Sequence, residues 1–192
     1  SQYTHTDGFT TTFTIPITAG SAHSCYMLDN GSVKCWGKNN LGQLGLGDTS
    51  NRGDNSSEMG DNLTIVDLGT GRTATAIAAG SNHTCAILDN ESIKCWGSNA
   101  AGQLGLGDTN NRGDNSSDMG NLLAVDLGSG IKAKAIAAGN QHTCAILDNS
   151  SIKCWGANAS GQLGLGDDDN RGDNSNEMGD SLTAVDLGSG RT

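Results

Sequence analysis

Apolar residues along this chain occur in short clusters, separated by glycine-rich or polar connections. The segment Ala74–Ala79 is one run of small and apolar residues, and Cys85–Leu88 and Ser92–Trp96 are two more, which flank the polar loop Asp89–Glu91. Short runs bounded by Gly, Asn and Asp predict β-strands, and two runs joined by a short loop predict a hairpin. This part of the chain therefore predicts one strand followed by a β-hairpin.

The same pattern recurs with a period of about sixty residues, which indicates a repeat architecture. We predict repeats at 14–73, 74–132 and 133–192, preceded by an N-terminal extension, 1–13, where alternating Thr and apolar residues around Phe9–Ile15 predict a strand. The segment Leu122–Leu127 predicts a fourth strand in its repeat. The predicted fold is all-β, with three propeller-type blades of about four short antiparallel strands each, within a larger propeller or an open stack.

The six cysteines fall into three pairs, and pairing Leu88 with Ser92 at the end of the hairpin places Cys85 opposite Cys95. If the closing pair is hydrogen-bonded, the cysteines lie in a non-hydrogen-bonded pair, close enough for a disulfide. We predict three disulfides, and reduced pairs or a zinc site with the nearby histidine are the alternatives. Disulfides would favour an extracellular or cell-surface location. The predicted pairs are Cys25–Cys35, Cys85–Cys95 and Cys144–Cys154.

Three short sequence motifs carry a family resemblance. They are GSNHTCAIL at 80–88, IKCWG at 93–97 and NAAGQLGLG at 99–107, and each recurs in the other repeats. In these motifs the chain resembles the regulator of chromosome condensation repeat family, and it would be a variant of that family with paired cysteines. The resemblance implies a β-propeller, usually of seven blades. It also implies, for the founding member, exchange-factor activity on a small GTPase, which we do not transfer to this acidic chain.

Charge, apolar runs and repetition argue against three classes of function. The formal net charge of −10 argues against binding to nucleic acid, which requires clustered Lys and Arg. Apolar runs are too short for membrane insertion. Each polar constellation occurs three times, whereas an active site is a single asymmetric arrangement, so we expect a protein that is not an enzyme.

Two other groups of residues suggest sites. The acidic loops crowd oxygen ligands of the kind calcium prefers, although a solvated turn is the commoner explanation. The candidate calcium ligands are Asp48, Asp54, Asp108, Asp114, Asp167 and Asp173. Asparagines in Asn-x-Ser/Thr sequons are glycosylation candidates. They are Asn30, Asn90 and Asn149 at the hairpin tips, with Asn55 and Asn115 in the acidic loops.

These observations predict an extracellular, non-enzymatic structural glycoprotein that self-associates into a homo-oligomer or filament through blade-to-blade contacts or exchange of the N-terminal strand. The alternative is a propeller module that binds a protein or glycan ligand, with calcium as a candidate cofactor.

Overall fold

The computed structural model describes residues 2–4, 10–12 and 16–188 and shows an all-β chain. Each repeat forms one three-stranded antiparallel sheet, and we refer to these sheets with their following loops as blades 1, 2 and 3. The strands are β1 (Gln2–Thr4), β2 (Thr10–Thr12), β3 (Ile17–Ala19), β4 (His23–Met27), β5 (Val33–Gly37), β6 (Ala74–Ala79), β7 (His83–Leu88), β8 (Ile93–Gly97), β9 (Ala133–Ala138), β10 (His142–Leu147) and β11 (Ile152–Gly156). Two short 3-10 helices cover Gly60–Asn62 and Gly179–Ser181.

The hairpin register is the one that the sequence predicts. In blade 2, Cys85 lies opposite Cys95 and Ile87 opposite Ile93, and the Leu88 N–H donates to the Ser92 carbonyl at 2.9 Å. The third loop residue has a positive φ in all three blades, at Gly31, Glu91 and Ser150. Only Gly31 adopts this left-handed conformation without strain, so the other two loops retain a local conformational cost.

Each blade has three strands, so the prediction of about four strands per blade is wrong. The segment predicted as a strand, Leu122–Leu127, is irregular and meets its blade at one backbone hydrogen bond, from the Val125 N–H to the Ile93 carbonyl at 2.8 Å. The acidic loop instead returns to the outer strand through a one-residue bridge between Gly97 and Arg112. Isolated bridges therefore take the place of the fourth strand.

Alternation along the middle strand builds the core between blades. In β7, Cys85 and Ile87 contribute to the apolar cluster shared with blade 3, whereas Ala86 and Leu88 contribute to the cluster shared with blade 1. Successive side chains of a strand point to opposite faces, so one short strand supplies both cores. The first strands of consecutive blades, β3, β6 and β9, lie next to each other.

The N-terminal strand prediction is met in part. Thr10–Thr12 forms β2, and it pairs antiparallel with Gln2–Thr4 of the same chain. The rest of the predicted strand, at 13–15, lies outside the described residues, as do 1, 5–9 and 189–192. Within the described part, no helix is long and apolar enough to cross a membrane.

Candidate functional site

The three disulfides lie on the face of each blade that is directed towards the following blade. The bonded pairs are Cys25–Cys35, Cys85–Cys95 and Cys144–Cys154, with S–S distances of 2.08, 2.07 and 2.12 Å. The first two bridges are 0% exposed because the next blade covers them, whereas Cys144 in blade 3 is only half-buried. Each bridge closes a small hairpin loop, for which a stabilisation of up to about 3 kcal/mol is typical.

Each internal interface is centred on one backbone carbonyl. The Gln43 carbonyl of blade 1 accepts hydrogen bonds from Trp96 Nε1 at 3.2 Å and from Thr84 Oγ1 at 2.9 Å, both in blade 2. The same contact occurs between blades 2 and 3, where the Gln103 carbonyl accepts from Trp155 Nε1 and Thr143 Oγ1, each at 3.0 Å. The side chains of these donors are fully buried, so each bond pairs groups that have no access to water.

A glycine makes room for each indole. A Cβ on Gly45 would lie 2.8 Å from Trp96 Nε1, and a Cβ on Gly105 would lie 2.8 Å from Trp155 Nε1. Both glycines also have φ near +67°, a conformation that other residues seldom adopt. The GQLG segment in each repeat is therefore the seat for the tryptophan of the next blade.

A histidine extends each interface. His23 Nε2 and Thr84 Oγ1 are 2.9 Å apart, and His83 Nε2 and Thr143 Oγ1 are also 2.9 Å apart. Because the threonine hydroxyl donates its only proton to the glutamine carbonyl, the histidine must be the donor, which fixes the neutral Nε2–H tautomer. The threonine hydroxyl thus lies between each histidine and the backbone carbonyl at the centre of the interface.

Burial lowers the pKa of both histidines. For His23 desolvation lowers the pKa to about 4, and for His83 desolvation, followed by repulsion from His23 and His142, lowers it to about 4 as well. The Nδ1 atoms of both side chains are buried and have no hydrogen-bond partner among the described residues. A second proton would thus have no acceptor, so the interface stabilises the neutral form.

The first set of acidic-loop residues is engaged within its own loop. Asp48, Asp108 and Asp167 form ion pairs with Arg52, Arg112 and Arg171, four residues further along. For Asp108, burial raises the pKa, but hydrogen bonds from Arg112 and from the Asn110 N–H lower it by a larger amount. The pKa of Asp108 therefore lies below its ordinary value. These carboxylates hold the loop against the blade.

The other acidic-loop candidates, Asp54, Asp114 and Asp173, each lie beside another carboxyl group. Burial and the adjacent Asp118 carboxyl raise the pKa of Asp114, and burial and Glu177 raise that of Asp173. The Asp54 carboxylate accepts from Asn51 and Asn55. Among the described residues, no three His, Cys, Asp or Glu side chains are grouped as a metal site. Calcium binding stays a prediction, and a thermal midpoint that a chelator leaves unchanged would contradict it.

The glycosylation candidates are all exposed: Asn30, Asn90, Asn149, Asn55 and Asn115. At the tips, Asn90 Oδ1 and Asn149 Oδ1 each accept from the serine hydroxyl two residues on, at 2.7 Å. Asn158 also begins a sequon, but it is 0% exposed and its Nδ2 donates to the Asp167 carbonyl at 2.9 Å. The sequons thus differ sharply in accessibility.

Comparison with known families identifies the repeat. The family model described as "Regulator of chromosome condensation (RCC1) repeat" matches residues 17–43, 74–103 and 133–162, and a second model of the same repeat matches 95–146. The chain belongs to this family. The segments matched by the first model contain the hairpins and end at the glutamine of each GQLG turn, and the second model covers the whole turn at 102–105.

The chain is similar to part of several larger proteins of known identity. The ultraviolet-B receptor of Arabidopsis thaliana is 34% identical over 152 residues, 79% of this chain but 31% of the receptor. The human X-linked retinitis pigmentosa GTPase regulator is 30% identical over 79% of this chain and 13% of its own length. This chain therefore spans a third or less of these two proteins.

A solved structure supports the fold. Yeast RCC1 bound to Kap60 superposes with a TM-score of 0.63 at 21% identity, over 88% of this chain and 36% of that one. At this identity the similarity concerns the fold alone. The arc of three blades is thus an RCC1-type propeller segment, an architecture that typically serves as a protein-binding module.

Proposed function

We propose that this chain is a non-enzymatic extracellular structural protein that assembles through contacts between blades into an oligomer or filament. One observation carries the proposal: apolar positions that are sealed between internal blades are open on blade 3. Ile146 is 46% exposed, whereas its counterpart Ile87 is 3% exposed, and Leu187 is 54% exposed, whereas Leu127 is 4% exposed. Apolar surface of this kind favours association.

Contact between blades accounts for this exposure better than strand exchange does. Strand exchange would require the N-terminal extension to pair with another copy, but the described part of that extension, Thr10–Thr12, pairs with Gln2–Thr4 of its own chain. The faces of the blades, in contrast, already associate twice within the chain. Blade-to-blade association is therefore the mode that we favour.

Assembly should be visible in solution. We expect the purified chain to sediment as a species larger than its 19.6 kDa monomer, with a size that depends on concentration. Sedimentation velocity over a hundredfold concentration range, with negative-stain imaging of the same samples, measures this. A folded chain that stays monomeric throughout that range would contradict the proposal.

The glycosylation candidates have their own test. We expect expression through a mammalian secretory pathway to place glycans on Asn30, Asn90 and Asn149, which are exposed, and not on Asn158, which is buried in the folded chain. Peptide mass spectrometry of the secreted protein measures occupancy at each site. Empty hairpin tips beside an occupied Asn158 would show that accessibility in this fold does not govern modification.

A second candidate function is a binding module for a protein or glycan, which could depend on calcium. It is favoured by a cleft of 480 Å³ between blades 2 and 3, lined by Leu106, Leu123 and Met178 among others. Leu123 is 73% exposed there, and yeast RCC1 was solved bound to a protein partner. This function predicts a monomer that binds its ligand, so the sedimentation experiment separates the two candidates.

A further inference from the structure

We infer that the open face of blade 3 docks onto blade 1 of a second copy of this chain. By the open face we mean the side of blade 3 formed by Ile146, Ile152, Gln162, Gly164 and Leu187. The inference rests on the blade-to-blade function proposed above and specifies which surfaces meet and which groups recognise each other.

The acceptor side is already formed in blade 3. Its turn has the hydrogen bonds of the internal turns: the Ser160 N–H donates to Gln162 Oε1 at 2.9 Å, and the Gly164 N–H donates to the Gly161 carbonyl at 3.0 Å. Gln162 itself is exposed, whereas Gln43 and Gln103 are 0% and 1% exposed. The carbonyl that accepts an indole in the other blades is thus held in place and open.

The indole seat of blade 3 is also vacant within the described chain. A Cβ on Gly45 or Gly105 would meet a tryptophan of the next blade, but a Cβ on Gly164 would meet only Val185 of its own blade. Similarly, a Cβ on Gly161 would have no atom of the described residues within 4 Å. Because the seat does not have to rearrange, binding there would require little ordering of the protein.

Blade 1 presents the complementary groups. Trp36 stands at the position of Trp96 and Trp155 and is half-exposed, whereas those two indoles are 0% exposed. Ser24 stands at the position of Thr84 and keeps the hydroxyl that the interface uses. Docking would place the Trp36 N–H and the Ser24 hydroxyl on the Gln162 carbonyl, with His142 next to Ser24.

Backbone groups extend the same match. Within the chain, the Gly47 N–H of blade 1 donates to the Gly113 carbonyl of blade 2 at 3.0 Å, and the contact repeats from Gly107 to Gly172 at 3.0 Å. The next donor in this series is the Gly166 N–H of blade 3, and the matching acceptor is the Gly53 carbonyl of blade 1. A second copy would therefore continue an existing ladder of contacts.

One residue distinguishes this contact from the internal ones. Ala86 and Ala145, which are 0% and 1% exposed, pack against the preceding blade, and blade 1 has Tyr26 at that position. Blade 3 has an apolar hollow of 200 Å³ on the opposing surface, lined by Ala135, Ala137, Cys144, Ile146 and Ile152 among others. The Tyr26 ring would fill this hollow and cover the half-buried disulfide.

The contact is heterologous, because two different surfaces of one chain meet. Such contacts either close into a ring or continue as a filament. Two copies would supply six blades, which lies within the range of four to eight that is typical of closed propellers. Both outcomes use the same interface.

Charge on either surface should block assembly. We expect Ile146→Lys to weaken self-association at least tenfold in sedimentation velocity, because it places an ammonium group in the apolar contact. Tyr26→Lys should do the same from the other surface. Leu123→Lys is the matched control, because Leu123 is 73% exposed on blade 2, away from both end surfaces, and it should assemble like the wild type.

Mixing the two blocked variants tests the pairing directly. Each retains one intact surface, so Ile146→Lys and Tyr26→Lys together should form a one-to-one dimer that does not grow, while each alone stays monomeric. Near-ultraviolet circular dichroism confirms that both variants are folded. A wild type that assembles while Ile146→Lys assembles equally well would overturn this docking site and leave the proposed function standing, whereas a monomeric wild type would overturn both.

Discussion

Replacing Trp96 with alanine is expected to lower the free energy of unfolding by about 3–5 kcal/mol, the usual cost of removing a large aromatic side chain from a core. The indole is 0% exposed, packs in the cluster between blades 1 and 2, and donates to the Gln43 carbonyl. Its removal therefore leaves a cavity and also breaks the central contact of the interface. Urea unfolding followed by far-ultraviolet circular dichroism measures the change.

Trp36→Ala is the matched control for this substitution. Trp36 occupies the same repeat position in blade 1 but is half-exposed, so it has less buried surface to lose. We expect a loss of less than about half that of Trp96→Ala when both are measured below the concentration at which the chain assembles. Equal losses would show that the tryptophan stabilises its own blade and does not depend on the preceding one.

The hairpins could be predicted from the sequence because their signals are local. The positions of Cys85 and Cys95, the polar loop between them and the apolar residues on either side determine one register, and the structure has that register. The three-blade organisation is equally visible, because Trp36, Trp96 and Trp155 repeat with their surroundings. Local pattern and repetition together are sufficient for the fold class and the disulfides.

The prediction of a fourth strand was wrong because apolar residues do not by themselves indicate that a segment forms backbone hydrogen bonds along a neighbouring strand. In the segment 122–127, Leu122 and Val125 are buried against the blade, but Leu123 is 73% exposed and only Val125 bonds to the neighbouring strand among these three. The buried side chains of the segment are Leu122, Val125 and Leu127, which are spaced by three residues and then by two. A strand would alternate at intervals of two throughout.

The contacts between blades could not be predicted, because three nearly identical repeats do not show which groups meet across an interface. Thr84 donates to a carbonyl 41 residues earlier in the chain, and His23 bonds a hydroxyl 61 residues later. Nothing local to His23 indicates that its partner is a threonine. The change from Thr84 and Thr143 to Ser24 in the first repeat is visible in the sequence, but it does not show which groups meet.

Acidification from pH 6.5 to pH 4 is expected to destabilise the chain by separating its blades. The pKa of His23 and His83 is about 4 in the folded chain, below the ordinary value of 6.5, so the unfolded chain binds more protons in this interval. Stability from these groups is complete above pH 6.5 and is lost as the pH falls towards 4. Each histidine accounts for about 3 kcal/mol over the whole interval.

A His83→Gln variant separates this effect from the titration of carboxylates. A glutamine side chain retains an amide donor for Thr143 but does not titrate. The slope of unfolding free energy against pH between 6.5 and 4 should therefore fall by an amount that corresponds to about one bound proton. Carboxylates that the fold stabilises in ionised form lose their contribution at lower pH, as for Glu91, whose hydrogen bonds from Lys132 and Lys134 lower its pKa to about 2. Urea titrations at several pH values measure both slopes. An unchanged slope in His83→Gln would mean that His83 is not the group whose protonation separates blades 2 and 3.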